Sequence, residues 1–358
     1  MIKLLVVDDS ALMRRLLTEI FTSAGDFTVV TARDGAHALA MLGEVAPDVV
    51  TLDVAMPGMN GLECLDQIMI QRPCPVVMLS AMTSAGAAET LDAMALGAVD
   101  FIPKPRGAVS LEIDAVVPEL VQKVRDAAAT RISKTLRLRE RVRARSGPIE
   151  PVRTQSASGP VPLRTSRETG VVLVGCSTGG PPALDLLLGE LPGDFPWPIV
   201  IAQHMPASFT GALARRLDKL CALTVVEVQG TTPLLPGHAY IGRGAADLLV
   251  SRRAKAIVAM SAPPSQAHLW HPSVDRLVES AMGVLPASAL TGVLMTGMGA
   301  DGAAAMHELH ARGGYTIAES ADTAAVWGMP GALVALGGAS CVRPVDEIAA
   351  TLNAYVVQ

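Results

Sequence analysis

The chain has 358 residues, half of them hydrophobic and 18% charged, which excludes a disordered or collagen-like chain and, at roughly 100–200 residues per domain, requires at least two cores. With only five Phe, three Tyr and three Trp, those cores must be built from Val, Leu, Ile, Ala and Met, as in α/β proteins with buried parallel strands. A formal charge of −5 sets up no field drawing the whole molecule to nucleic acid or an anionic membrane, and five scattered cysteines without a C-x-x-C pair signal neither a disulfide framework nor a zinc site, fitting a reducing cytosol.

The opening run, Met1-Ile-Lys-Leu-Leu-Val-Val-Asp8-Asp9, has a strand's pattern and is too short for the apolar core of an export signal. Strands are predicted over Lys3–Val7, Thr28–Thr31, Asp48–Leu52, Pro75–Leu79 and Val99–Ile102, with helical stretches between them. Short apolar strands alternating with helices predict a doubly wound parallel sheet over residues 1–125. Residues 126–168 are read as a linker. From Arg131 to Glu168 there is no aromatic, and ten Lys or Arg stand against three Glu, so the net −5 divides into +7 here and −12 elsewhere. A charged helix over Arg131–Arg145 is expected to give way to Ser/Pro coil. Nucleic-acid binding is the sharper reading of this stretch, but without stacking aromatics or a paired fold a solvated linker is preferred.

A second α/β pattern occupies 169–358, with predicted strands at Val171–Gly175, Pro198–Ala202, Leu223–Val228, Ala239–Ile241, Ala256–Met260 and Leu290–Met295. Two charge-free stretches, Ser280–Ala300 and Thr323–Val342, approach the roughly 20 residues of a membrane span. Both are broken by Pro and Gly, and each is read as a buried strand plus a turn.

In open parallel sheets ligands bind at the carboxyl ends of the strands. In the first domain those ends carry Asp8 and Asp9, Asp53, Ser80 and Lys104. A single aspartate there reads as a turn or cap residue; three carboxylates sharing a crevice repel one another, and a hard divalent cation such as Mg²⁺ offsets that with oxygen ligation. The neighbouring Lys and hydroxyl suit a phosphoryl group. Through Val-Val-Asp8-Asp9-Ser, Leu-Asp53-Val-Ala-Met-Pro-Gly-Met-Asn-Gly and Lys104-Pro105, this part of the chain resembles the receiver domain of two-component response regulators, a flavodoxin-like fold. The resemblance implies that Asp53 is phosphorylated, that Asp8, Asp9, Asp53 and the Ala55 backbone carbonyl hold Mg²⁺, and that Ser80 and Lys104 read the phosphoryl oxygens with Phe101 as the aromatic switch. Ala55 has no polar side chain, which leaves the usual control of dephosphorylation open.

In the second domain Val171-Val-Leu-Val-Gly175-Cys-Ser177-Thr-Gly179-Gly places G-x-S-x-G between a strand and a helix. Such a turn presents a Ser hydroxyl beside backbone N–H groups able to stabilise an oxyanion; a glycine turn that packs strand on helix or binds phosphate is the alternative. A Ser nucleophile needs a base and an orienting acid. His204 and Asp301 both follow predicted strands. The competing set, Asp301 with His307 or His310, follows the chain order of α/β-hydrolases, but those histidines fall on a helix rather than at a strand end. His37, His238, His268 and His271 have no carboxylate partner by spacing and are read as structural or substrate-side.

From about Val171 onward the chain resembles the catalytic domain of the chemotaxis protein-glutamate methylesterase (CheB) family, a Rossmann-like doubly wound fold. The resemblance rests on Gly-Cys-Ser177-Thr-Gly-Gly, Gln203-His204-Met-Pro, Leu235-Pro-Gly-His-Ala-Tyr-Ile, Pro272-Ser-Val-Asp, Thr296-Gly-Met-Gly-Ala-Asp301-Gly and Trp327-Gly-Met-Pro330. It implies Ser177 as nucleophile, His204 as general base, Asp301 as orienting acid and the backbone N–H groups of Thr178 and Met298 as oxyanion hole, with no cofactor for ester hydrolysis. It further implies a cytoplasmic enzyme whose substrates are methyl-accepting chemotaxis receptors, with glutamine deamidation open to the same mechanism. Its phosphodonor would be the chemotaxis histidine kinase, and it would have neither a nucleic-acid partner nor an integral membrane segment. Where the family shows His-Arg-Pro-Ser-Val-Asp, this chain has Trp270-His271-Pro272, so contacts near 270 are expected to differ. A response regulator whose second domain only binds a ligand is the other reading, and it predicts that Ser177→Ala is silent.

Overall fold

The computed structural model describes residues 1–80, 84–104, 113–130, 170–254 and 256–357. The predicted helix Arg131–Arg145 and the rest of 131–168 lie outside the described residues, as does Pro105. The chain divides into two compact units, Met1–Gly147 and Pro148–Gln358.

In the first unit β1 (Ile2–Val7), α1 (Ala11–Ser23), β2 (Phe27–Ala32), α2 (Gly35–Val45), β3 (Val49–Asp53), α3 (Gly61–Gln71), β4 (Val76–Ser80), α4 (Ser84–Ala95), β5 (Asp100–Pro103) and α5 (Ile113–Ala129) alternate. The strands pair in parallel in the order β2-β1-β3-β4-β5. This is the flavodoxin-like winding, and its switch point lies between β1 and β3. Every residue of β3 and β4 is buried, which is why they read as unbroken apolar runs rather than as alternating patterns. Helix starts follow local chemistry. The Ser10, Asp34 and Asn60 side chains each accept a backbone N–H of the following first turn, and Glu63 returns the bond to Asn60 in a capping box.

The second unit contains β6 (Val171–Cys176), α6 (Gly180–Gly189), β7 (Ile199–Gln203), α7 (Ala207–Leu220), β8 (Thr224–Val228), β9 (Thr231–Pro233), β10 (His238–Gly242), β11 (Asp247–Arg253) and β12 (Ala256–Ala262). It continues through α8 (Val274–Met282), β13 (Leu290–Leu294), α9 (Ala303–Ala311), β14 (Tyr315–Glu319), α10 (Met329–Ala335), β15 (Cys341–Arg343) and α11 (Val345–Val357). Seven strands form a parallel sheet in the order β15-β14-β13-β6-β7-β10-β8. All six residues of β6 are buried, consistent with a central strand covered on both faces.

Two expectations need correction. The predicted strand at Ala256–Met260 belongs to a separate three-stranded antiparallel sheet, β11-β12-β9, because a strand joined to its neighbour by a short turn can only return antiparallel. The stretch Thr323–Val342 is not a buried strand plus a turn. It holds a loop, α10 and the first residues of the edge strand β15, the Pro330 at the start of α10 suiting a helix's first turn. No helix among the described residues is long and apolar enough to cross a membrane.

Candidate active site and phosphoacceptor pocket

At the switch point of the first sheet, carboxylate oxygens of Asp8, Asp9 and Asp53 lie within 4.8 Å of one another. The Lys104 ammonium stands 2.9 Å from Asp8 Oδ2 and 2.6 Å from Asp53 Oδ2. Neither of those two buried oxygens makes a hydrogen bond of good geometry. An all-oxygen cluster with buried, poorly satisfied carboxylate oxygens fits a hard divalent cation such as Mg²⁺. Burial pushes the Asp53 carboxyl up, against the opposing pull of Lys104. Burial also works against the Lys104 ammonium, but its close ion pairing with the Asp53 and Asp8 carboxylates outweighs that and holds its pKa above the ordinary lysine value.

The other predicted pocket residues are disposed differently. The Ala55 N–H donates to Asp53 Oδ1 at 3.2 Å. The Ser80 hydroxyl donates to the Gly86 carbonyl and accepts from the Thr90 hydroxyl at 2.7 Å, so it is engaged with α4. Phe101 is buried, and the Lys123 ammonium lies over its ring, 5.6 Å from the centroid. Sequence spacing carried no sign of Thr90 or Lys123, because both reach these residues from helices that only the fold brings close.

In the second sheet the three central strands β13, β6 and β7 deliver Asp301, Ser177 and His204. Cys176 and Gln203 are register partners, so Ser177 and His204, one residue further on, emerge side by side. The His204 N–H donates to the Cys176 carbonyl at 3.0 Å, which continues the ladder to that point. The nucleophile turn is tight. Gly179 has φ +77°, and a Cβ there would meet the Ala325 Cβ at 2.6 Å, so glycine is required on both conformational and steric grounds. The turn leads directly into α6, and the Gly180 N–H donates to the Ser177 carbonyl. The Ser177 N–H is itself taken by the Thr296 carbonyl at 2.9 Å, so an oxyanion at Ser177 must be served by other donors.

His204 Nε2 is 2.8 Å from Asp301 Oδ2. Asp301 also accepts from the Ser273 hydroxyl at 3.0 Å and from the N–H groups of Val274 at 2.7 Å and Asp275 at 3.1 Å, at the N-terminus of α8. Burial would raise the Asp301 carboxyl, but His204 and these backbone donors outweigh it and hold it below the ordinary carboxylate value. With Nε2 committed to the carboxylate, Nδ1 of His204 is buried and makes no hydrogen bond within the described residues. The arrangement therefore leaves Nδ1 as the nitrogen able to take a proton. The Trp270 ring stacks on the imidazole, centroids 5.3 Å apart and planes 14° apart.

The partners of the Asp301 carboxylate include neither His307 nor His310; His310 Nδ1 instead meets the Ser340 hydroxyl at 3.1 Å. One expectation about the remaining histidines fails. His271 does have a carboxylate partner, since its Nδ1 lies 2.9 Å from Asp247 Oδ1. Asp247 is buried and also accepts from Arg276 and from the N–H groups of Ser265 and Ser273, holding the segment that carries Trp270 and Ser273 against β11. Twenty-four residues of sequence separation hid that pair. Glu319, at the end of β14, is the other polar residue that sequence reasoning missed: it is 1% exposed and accepts the Thr296 N–H at 2.7 Å.

A receiver-like sheet with a carboxylate and lysine pocket, joined in one chain to a parallel sheet with Ser and His at adjoining strand ends and Asp on the loop after the neighbouring strand, defines a response regulator with a hydrolase-type effector unit. Residues 172–352 match the CheB methylesterase family and residues 4–114 match the response regulator receiver domain. The chain is 53% identical over 356 residues to a protein-glutamate methylesterase/protein-glutamine glutaminase of Rhodopseudomonas palustris, covering 98% of this chain and 97% of that one. It is 51% identical over 357 residues to a protein of the same description from Rhodospirillum rubrum, covering 99% and 96%. The CheB methylesterase catalytic domain of Thermotoga maritima superposes with a TM-score of 0.51 at 35% identity, over 53% of this chain and all of that domain. The chain belongs to the CheB methylesterase family.

Proposed function

We propose that this chain is a phosphorylation-activated serine esterase that hydrolyses glutamate γ-methyl esters on chemoreceptors and deamidates receptor glutamines. The observation that carries the reading is the buried His204–Asp301 pair at 2.8 Å, delivered beside the Ser177 turn by adjacent parallel strands. In this reading the three parts of the chain are the receiver 1–125, the linker 126–168 and the catalytic domain 169–358.

Ser177 Oγ attacks the γ-carbonyl carbon while His204 Nδ1 accepts its proton, and the Asp301 carboxylate orients the ring and stabilises the imidazolium. The carbonyl oxygen becomes an oxyanion held by the N–H groups of Thr178 and Met298. The tetrahedral intermediate collapses, the C–O bond to the methoxy group breaks, and the imidazolium returns the proton so that methanol leaves. Water then attacks the acyl-enzyme with His204 again as base, releasing glutamate and restoring Ser177. A glutamine side chain enters the same path with ammonia as leaving group and yields the same γ-glutamyl acyl-enzyme.

In the receiver, Asp53 is the phosphoacceptor, Lys104 and Ser80 read the phosphoryl oxygens, and Phe101 is the switch aromatic. Mg²⁺, held by Asp8, Asp9, Asp53 and the Ala55 carbonyl, would supply charge neutralisation for phosphoryl transfer. The phosphodonor is a chemotaxis histidine kinase, and the site of action is the cytoplasmic part of the receptors. Phosphorylation shifts the population from an inhibited to an active state.

The test is methanol release from methylated receptor membranes by wild type, Ser177→Ala and Asp53→Ala, each with and without a small phosphodonor and Mg²⁺. Release is expected to need Ser177 and to rise with phosphodonor only when Asp53 is present. Unchanged release by Ser177→Ala would overturn the esterase and leave the ligand-binding alternative.

A further inference from the structure

Thr296 is tied to its surroundings through every polar atom it has. Its carbonyl accepts the Ser177 N–H at 2.9 Å. Its hydroxyl donates to the Thr178 carbonyl at 2.8 Å and accepts the Val326 N–H at 3.0 Å. Its own N–H donates to Glu319 Oε2 at 2.7 Å. One residue thus holds the peptide units on either side of the Ser177–Thr178 peptide, and it lies two positions before Met298. The next residue, Gly297, is equally confined: its N–H donates to Val326, and its carbonyl accepts from Gly328 and Met329.

Glu319 anchors this junction from behind. Its second oxygen accepts the Thr323 hydroxyl at 3.0 Å, and Thr323 in turn accepts the Val345 N–H. Among the described residues no cationic side chain pairs with Glu319. Charged or titratable groups on β14 and the elements around it are Tyr315 on β14, Cys341 and Arg343 on β15, His307, Glu308 and His310 on α9, and Asp346, Glu347 and Tyr355 on α11, none of which shifts Glu319. Cys176 on β6 is the neighbour that senses it, its buried thiol being pushed up by desolvation and by the Glu319 charge. A buried carboxylate without a counterion is costly, and no step of the proposed ester hydrolysis uses it directly.

We infer that Glu319 is a positioning residue for the oxyanion hole: through Thr296 it holds the Ser177–Thr178 turn in register with Met298, and it does so fully only when ionised. The inference rests on the esterase reading above. A carboxylate is a stronger acceptor for the Thr296 N–H than a carboxylic acid or an amide, and oxyanion stabilisation depends on donors fixed before the charge develops. Burial pushes the Glu319 carboxyl up to about 7, the bonds from Thr296 and Thr323 opposing it. Its ionisation therefore falls in the range where catalysis is measured.

The test compares the full-length chain with Glu319→Gln, Thr323→Val and Ser177→Ala, measuring kcat and KM for methanol release from about pH 6 to about pH 9. Each variant is expressed as a ratio to wild type at each pH, so that any pH dependence of the receiver cancels. Glu319→Gln is expected to lower kcat near pH 8 by up to about tenfold with little change in KM, because an amide accepts more weakly. Its ratio to wild type should then rise several-fold between about pH 8 and about pH 6, since the variant has lost an ionisation that wild type retains. Thr323→Val keeps the Thr296 bond but removes a donor that favours the charged form, so its acid limb should move to higher pH.

A flat ratio for Glu319→Gln together with an unmoved limb for Thr323→Val, with Ser177→Ala inert, would overturn the inference and leave the esterase standing. Should Glu319→Gln not fold, the Thr323→Val limb decides alone. Methanol release surviving in Ser177→Ala would overturn both.

Discussion

At the scale of single residues, the contrast between Asp301 and Glu319 shows how differently two buried carboxylates can be treated. Asp301 has His204, a hydroxyl and two backbone N–H groups, and is held below the ordinary value; Glu319 has two neutral donors and rises to about 7. Asp301→Asn should leave the fold intact and reduce kcat by roughly a thousandfold or more, because the neutral amide neither stabilises the imidazolium nor enforces the Nε2–H tautomer. Steady-state methanol release with KM determined separately checks this. For Glu319 the stability effect has a definite sign. Its folded pKa is raised, so the unfolded chain gives up the proton first, and stability falls as pH rises from the ordinary 4.5 to about 7. Glu319→Gln removes that loss. Chemical denaturation at about pH 8 is expected to find the variant more stable by up to about 3 kcal/mol, with the difference shrinking towards about pH 4.5.

At the scale of elements, α8 is more than a packed amphipathic helix. Its cap residue Ser273 accepts the Arg276 N–H and donates to Asp301, while the first N–H groups of the helix face the same carboxylate, so the partial positive end of the helix supports the Asp301 charge. Ser273→Ala should therefore lower stability by about 1 kcal/mol and also shift the acid limb of kcat, since Asp301 loses a donor. A change in stability with an unmoved pH profile would assign Ser273 to capping alone. The pair β6 and β7 sets the other half of the geometry. Both strands are buried throughout, and one step of parallel register beyond Cys176 and Gln203 fixes the spacing of Ser177 and His204. Trp270 is carried by a loop that Asp247 fastens to β11, which explains why a buried Asp, a His and an Arg converge at a place where no reaction is assigned.

At the scale of the whole molecule, two parallel sheets each place chemistry at their carboxyl edge, one suited to phosphoryl transfer and one to acyl transfer. Their requirements differ. Chelation of divalent cations is expected to abolish the rise in methanol release caused by a phosphodonor while leaving basal release unchanged, because the Asp8, Asp9 and Asp53 cluster belongs to the first unit alone. Deletion of residues 1–168 should raise release above that of the unphosphorylated full chain, and release no higher than that level would remove the inhibitory role of the receiver. Both assays use the same receptor membranes.

Local chemistry made much of this legible in the sequence. Unbroken Val/Leu/Ile runs marked the buried parallel strands, and the strand ends therefore marked Asp8, Asp53, Lys104, Ser177 and His204, because side-chain placement at a strand end follows from the chain's own direction. Asp301 was legible as the carboxylate in the glycine-rich loop that follows a predicted strand, seven residues beyond the end of β13. The tertiary structure alone decided which ends meet. It put β13, β6 and β7 side by side, assigned Nε2 rather than Nδ1 of His204 to Asp301, paired His271 with Asp247, and brought Glu319 behind Thr296. Those contacts join residues from 23 to 97 positions apart, and no local propensity or period encodes them. They arise from sheet order and from the requirement that buried polar groups find partners wherever the fold supplies them.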